Sequence, residues 1–132
     1  MNSDRELLEL AAKANWRQEL ADEEVTLRFS ESDEGMLYLH ADNQDHNGTD
    51  REFLWNPLTQ DHDALRLAVK LRFGMTLFAP RDMPDSVGMV EIWQEDENDP
   101  TYVEWYKAGA DRYDATRRAI VRAAAKIGKA LP

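Results

Sequence analysis

The sequence predicts an α+β fold. It would be a mainly antiparallel sheet of about five strands packed with about three helices, sandwich-like, in the order α-β-β-α-β-β-β-α. Three observations predict it. Apolar residues recur every three or four positions in three separate segments, the spacing of a helix face. Between these lie short runs that alternate apolar and polar residues or are rich in β-branched and aromatic side chains. Short turns link those runs as hairpins, which makes neighbours antiparallel.

The first helix is expected over 3–14. Ser3-Asp4-Arg5-Glu6 fits a capping box, in which the Ser3 hydroxyl accepts from the Glu6 N–H. Leu7, Leu8, Ala11, Ala12 and Asn15 follow at helical spacing. The pattern leaves open whether the helix continues through Trp16-Arg17-Gln18-Glu19-Leu20. In 25–30, Val25, Leu27 and Phe29 alternate with polar residues, a half-buried strand. A turn at 31–35 leads to a second strand at 36–40. The stretch 41–50 is polar and rich in Asn, Asp and Gly, so it is expected as a loop.

Phe53-Leu54-Trp55 is a short apolar patch that Asn56-Pro57 ends, since proline continues neither a helix nor a central strand. Thr59 or Asp61 is expected to cap a helix over 63–71. Ala64, Leu67, Ala68 and Leu71 share one face there, and Leu65 and Val69 widen it enough to predict packing against a sheet. Gly74 is expected as a left-handed helix cap. Strands are expected at 75–79, 88–93 and 101–106, with a loop at 80–85 and an acidic turn at 94–100. Asp111 or Asp114 should cap the last helix, with Tyr113, Thr116, Ile120, Ala124, Ile127 and Leu131 as its apolar stripe.

At 132 residues the chain suits a single domain over 1–132. Hydrophobic residues make 42% and charged residues 32%, a globular composition. There is no cysteine, which excludes disulfides, thiol nucleophiles and cysteine metal sites. No apolar run is long enough to span a bilayer, and charges interrupt the only apolar stretch near the N-terminus, so a cytoplasmic protein without a signal peptide or membrane partner is expected. The net charge of −10 argues against nucleic-acid binding through the surface at large. Residues 1–105 hold 24 acids and 9 bases, a net of −15, and residues 106–132 hold 2 acids and 7 bases, a net of +5. Basic residues on one helix are usually a solvated face.

Two segments carry a resemblance. Trp55-Asn56-Pro57-Leu58-Thr59 with the helix from Asp63 to Leu71, and the tail Ala115-Thr116-Arg117-Arg118-Ala119-Ile120-Val121-Arg122-Ala123-Ala124-Ala125, resemble small uncharacterised proteins of tailed phages and prophages. The opening Asp4-Arg5-Glu6-Leu7-Leu8-Glu9-Leu10-Ala11-Ala12 has the same look. Together they resemble the phage αβα-sandwich domain family. Family patterns often show a glycine where this chain has His62, and 21–53 and 78–110 are not covered. The resemblance implies a phage origin and an approximate fold, and it transfers no catalytic residue.

His40, Asp42 and His46, with His62 beyond them, are weak candidates for zinc or manganese ligands, but their spacing fits no defined motif, so no metal and no cofactor is expected. Asn43-Gln44-Asp45-His46-Asn47-Gly48 starts like a calcium loop, yet Leu54 stands where a bidentate Glu is required. Serine-nucleophile, phosphate-loop and dinucleotide motifs are missing, so no catalytic activity is expected. The candidate partner-binding residues are Glu91, Trp93, Glu95, Asp96, Glu97, Asp99, Tyr102, Glu104 and Trp105. Aromatic rings among carboxylates have the composition of a binding hot spot, although rings packed under helices are the commoner case.

The expected function is a phage-encoded, non-catalytic binding protein, specifically an acidic counter-defence inhibitor that blocks a basic nucleic-acid-binding site on a host protein. Alternatives are a self-assembling or virion-associated structural phage protein, a metal-dependent enzyme, and direct nucleic-acid binding through Arg117, Arg118, Arg122 and Lys126.

Overall fold

A computed structural model describes residues 3–21, 25–31, 37–43, 51–78, 87–95 and 97–131, with the backbone course alone for 19, 25–31, 37–43 and 51–54. Within it, helices α1 (Asp4–Asn15) and α2 (Arg17–Ala21) precede strands β1 (Val25–Glu31), β2 (Leu37–Asn43) and β3 (Arg51–Leu54). Helix α3 (Asp61–Lys70) leads to β4 (Gly74–Phe78), β5 (Val87–Trp93) and β6 (Tyr102–Lys107), and α4 (Arg112–Ala130) follows. The class is α+β. In place of one sheet of about five strands, the described residues form two antiparallel sheets of three, β1-β2-β3 and β4-β5-β6.

The helix ends follow from side-chain chemistry. Ser3 Oγ accepts from the Glu6 N–H at 3.2 Å and Arg5 pairs with Glu9 one turn on. Trp16 ends α1, so the apolar pattern beyond it forms the separate short helix α2. Asp111 caps α4 by accepting from the Tyr113 and Asp114 N–H groups at 2.9 and 3.3 Å.

Helix α4 is the hub. It packs along α1, against α3, and over β5 and β6. Ala11, Ala12, Ala119, Ala123 and Ala124 are wholly buried, with Leu8, Leu67, Val90, Ile92 and Val121 as the larger core residues. A side chain at Gly128 would fall on the Leu10 carbonyl of α1, so the two helices touch backbone to backbone there. Trp16 meets Trp55 edge to face at 5.2 Å and 66°, pinning the end of α1 to the segment before α3.

Several expectations are corrected. β2 runs to Asn43, so 41–43 is strand; β3 forms where a patch was expected, because both pair in register (Ala41 with Leu27 and Arg51) and ladder hydrogen bonds outweigh polar composition. The rest of 41–50, most of the 31–35 turn and the 80–85 loop lie outside the described residues. Helix α3 starts after Gln60, with no side-chain cap from Thr59 or Asp61. Leu65 and Val69 are 59% and 68% exposed, because α3 packs on the narrow, alanine-lined flank of α4 and not on a sheet. Gly74 opens β4; the left-handed residue is Arg72, φ 59°. Phe73 N–H bonds the Ala68 carbonyl at 2.9 Å and Arg72 N–H that of Val69 at 3.1 Å, a Schellman turn with arginine where glycine usually sits. On α4, Tyr113 is exposed and the buried face centres on Ala119, Ala123 and Ala124, since α4 has neighbours on three sides.

Two outcomes test this packing. Gly128→Ala should lower unfolding free energy by about 1–3 kcal/mol in urea denaturation, because the α1–α4 seam must open. Arg72→Gly should raise it by about 1 kcal/mol, since glycine removes the left-handed backbone cost.

Candidate functional site

The β4-β5-β6 sheet has two chemically different faces. Along β5, Gly88, Val90 and Ile92 are buried, while Val87, Met89, Glu91 and Trp93 alternate with them on the other side. In register, Met89 stands between Phe78 and Trp105, Glu91 between Thr76 and Val103, and Trp93 beside Gly74. The face away from α4 therefore carries a row Phe78-Met89-Trp105, with Phe78 47% and Trp105 62% exposed. Glu91 lies in the next row. The turn after β5 adds exposed Glu95, Glu97 and Asp99, held by Thr101 N–H on the Ile92 carbonyl at 2.7 Å and by the Thr101 hydroxyl on Gln94 at 3.0 Å. Asp96 lies outside the described residues. The Trp93 Nε1–H is buried without a hydrogen-bond partner.

Tyr102 and Glu104 belong to the other face. Arg122 Nη1 reaches both Glu104 carboxylate oxygens at 2.8 and 2.7 Å and the Tyr102 hydroxyl at 3.2 Å. Burial works against the Arg122 charge, but the Glu104 hydrogen bond and charge outweigh it, so its pKa is raised. Tyr106 also lies on this side, its ring covering Gly88 so closely that no Cβ fits there. The expected set of nine thus divides. Glu91, Trp93 and Trp105 share the outer face, Glu95, Glu97 and Asp99 follow β5, and Tyr102 and Glu104 brace α4. The parity of β6 against the buried β5 positions is the signal that separates Glu104 from Trp105.

The α4 cations are internal braces as well. Arg117 donates to the Leu58 carbonyl at 2.8 Å and to Asp61 at 2.7 Å. Arg118 bonds Asp4 and Asp114, and the Asp4 hydrogen bond is the largest influence raising its pKa. Lys126 donates to the Thr101 carbonyl at 3.2 Å. Arg117, Arg118, Arg122 and Lys126 are therefore engaged with their own chain, while Arg112 and Lys129 are exposed at the two ends of the helix.

Among the described residues the only buried polar side chains are Asn56 and Asp63. Asp63 accepts from the Asn56 N–H at 2.9 Å and Asn56 Oδ1 from the Leu58 N–H at 3.0 Å, which locks the Trp55-to-Thr59 turn. His62 is exposed in the first turn of α3, 3.3 Å from Asp63. His40 and Asp42 lie on β2, and His46 is outside the described residues; within those residues no three potential ligands are grouped to hold a metal. Two clefts, of 440 and 300 Å³, meet at Arg17 and Gln18; their described linings carry Lys13, Lys70 and Arg72 but no carboxylate or histidine. No described helix is long and apolar enough to cross a membrane. Comparison with family models, curated proteins and solved structures finds no match.

Glu104→Ala should destabilise the fold by about 1–3 kcal/mol in thermal or urea unfolding, because it leaves a half-buried guanidinium unpaired. Glu104→Gln should cost less.

Proposed function

We propose that the chain is a non-catalytic binding protein whose partner lays a basic surface on the outer face of the β4-β5-β6 sheet. The carrying observation is Trp105, 62% exposed and in one row with Phe78 and Met89, with Glu91 in the next row and the exposed carboxylates Glu95, Glu97 and Asp99 in the turn that follows β5. A rigid aromatic anchor supplies contact area at low entropic cost, and a carboxylate rim selects partners by sign.

The charge division supports the finer reading. Arg117, Arg118 and Arg122 are paired with Asp61, Asp4 and Glu104, and the chain as a whole keeps a net charge of −10 toward a partner. A basic nucleic-acid-binding site on a host protein is the complementary surface. Together with the resemblance to phage proteins, this makes the chain an acidic counter-defence inhibitor acting in the cytoplasm of a bacterial host.

The test is capture from a bacterial lysate followed by affinity measurement with the recovered protein. A basic nucleic-acid-binding protein is expected, its binding weakened by salt and by competing DNA or RNA. Trp105→Ala should weaken it about tenfold or more while leaving the unfolding midpoint unchanged. Salt-insensitive binding, or full affinity in the Trp105 variant, would sink this reading.

A further inference from the structure

Strand β4 is an edge of its sheet, and among the described residues nothing pairs with its far side. Exposed edges present unpaired N–H and C=O groups, and proteins blunt them with charges, prolines or bulges. β4 has none of the first two. Its sequence, GMTLF, carries no ionisable residue, whereas each of the other five strands carries at least one, and the opposite edge, β6, carries Glu104 and Lys107. All five β4 residues are exposed, including Met75 at 41% and Leu77 at 62%. Met75 and Leu77 pair with Ile92 and Val90, so they lie on the α4 side, but α4 sits over β5 and β6.

The strand is complementary to itself. Set antiparallel about Thr76, a second GMTLF brings Thr76 opposite Thr76, Met75 opposite Leu77, and Gly74 opposite Phe78. The two exposed aliphatic residues then cover each other on the helix side. On the outer face each Phe78 covers a glycine that offers no side chain of its own, the arrangement in which an aromatic shields an edge glycine. A threonine pair at the centre is a favourable cross-strand neighbour. A slip of two residues, the smallest that keeps the faces matched, would oppose Met75 to Met75 and Gly74 to Thr76 and take Phe78 off its glycine, so the register centred on Thr76 covers the most apolar surface.

We propose that β4 pairs with β4 of a second copy of this chain, antiparallel and centred on Thr76, joining two three-stranded sheets into one of six. The seam shares Phe78 with the outer-face row but does not use Trp105 or the carboxylates. A five-residue seam is small, so association is weak and concentration-dependent. Two chains of net charge −10 repel each other, so salt strengthens this contact. That is opposite in sign to the salt response of a basic partner.

The chain has no cysteine, so single-cysteine variants report position cleanly. Thr76→Cys places two thiols opposite each other, at the ~4.5–5.5 Å Cα spacing of antiparallel neighbours, which a disulfide spans. Under mild oxidation it should form covalent dimer about tenfold or more faster than Thr59→Cys, an exposed control away from β4. Thr76→Lys and Thr76→Glu should each sediment as monomers, and their equimolar mixture as a dimer. Equal oxidation rates at the two cysteine positions, or a mixture that sediments like its separate components, would overturn the proposal. A 15.2 kDa species at every concentration and salt would also overturn it and leave the edge to a strand of another protein.

Discussion

Everything in the helical half depends on how close α1 comes to α4. The Leu10 carbonyl occupies the space a side chain at Gly128 would need, and buried alanines line both helices. Small residues let backbones approach, and close approach multiplies dispersion contacts that larger side chains would prevent. With α1 seated, α4 is fixed in position and direction. Its other sides then organise the rest: Arg117 holds the turn before α3, while Arg122 and Lys126 hold β6 and the residue before it.

The same helix sorts the charge of the molecule. A cation on α4 facing an acid of the body forms a brace, and the acid's charge is matched within the fold. Glu104, Asp61 and Asp4 are used in this way. Carboxylates beyond the reach of α4, such as Glu91, Glu97 and Asp99, have no such partner among the described residues. Glu91 on the outer face and the acids of the turn after β5 therefore keep charge that α4 does not match.

Local patterns gave the helices and the strands of the second sheet to within one or two residues, because capping, periodicity and alternation are local physics. Ser3 and Asp111 were readable for that reason. Arg72 was not, since a glycine two residues on was the more usual occupant of a left-handed turn, and the choice was settled by where Phe73 packs. The split into two sheets was not readable either. Pairing partners are set by long-range register, and the polar stretch before Asn43 disguised the end of a strand. At the candidate site, composition singled out the aromatic and acidic cluster, but only the alternation of β6 against β5 told Glu104, which braces α4, from Trp105, which faces outward.

The brace between Arg118 and Asp4 closes a loop of 114 residues. During synthesis at ~5–20 residues per second, α1 is complete on the order of ten seconds before its partner exists. Throughout that interval Leu7, Leu8 and Ala11 lack the surface that buries them. The α1–α4 seam joins residues more than a hundred positions apart, so loop-closure entropy must be met before the seam stabilises anything, a requirement that slows folding. A permuted chain that joins α4 directly to α1 would reach the same architecture by a short local hairpin.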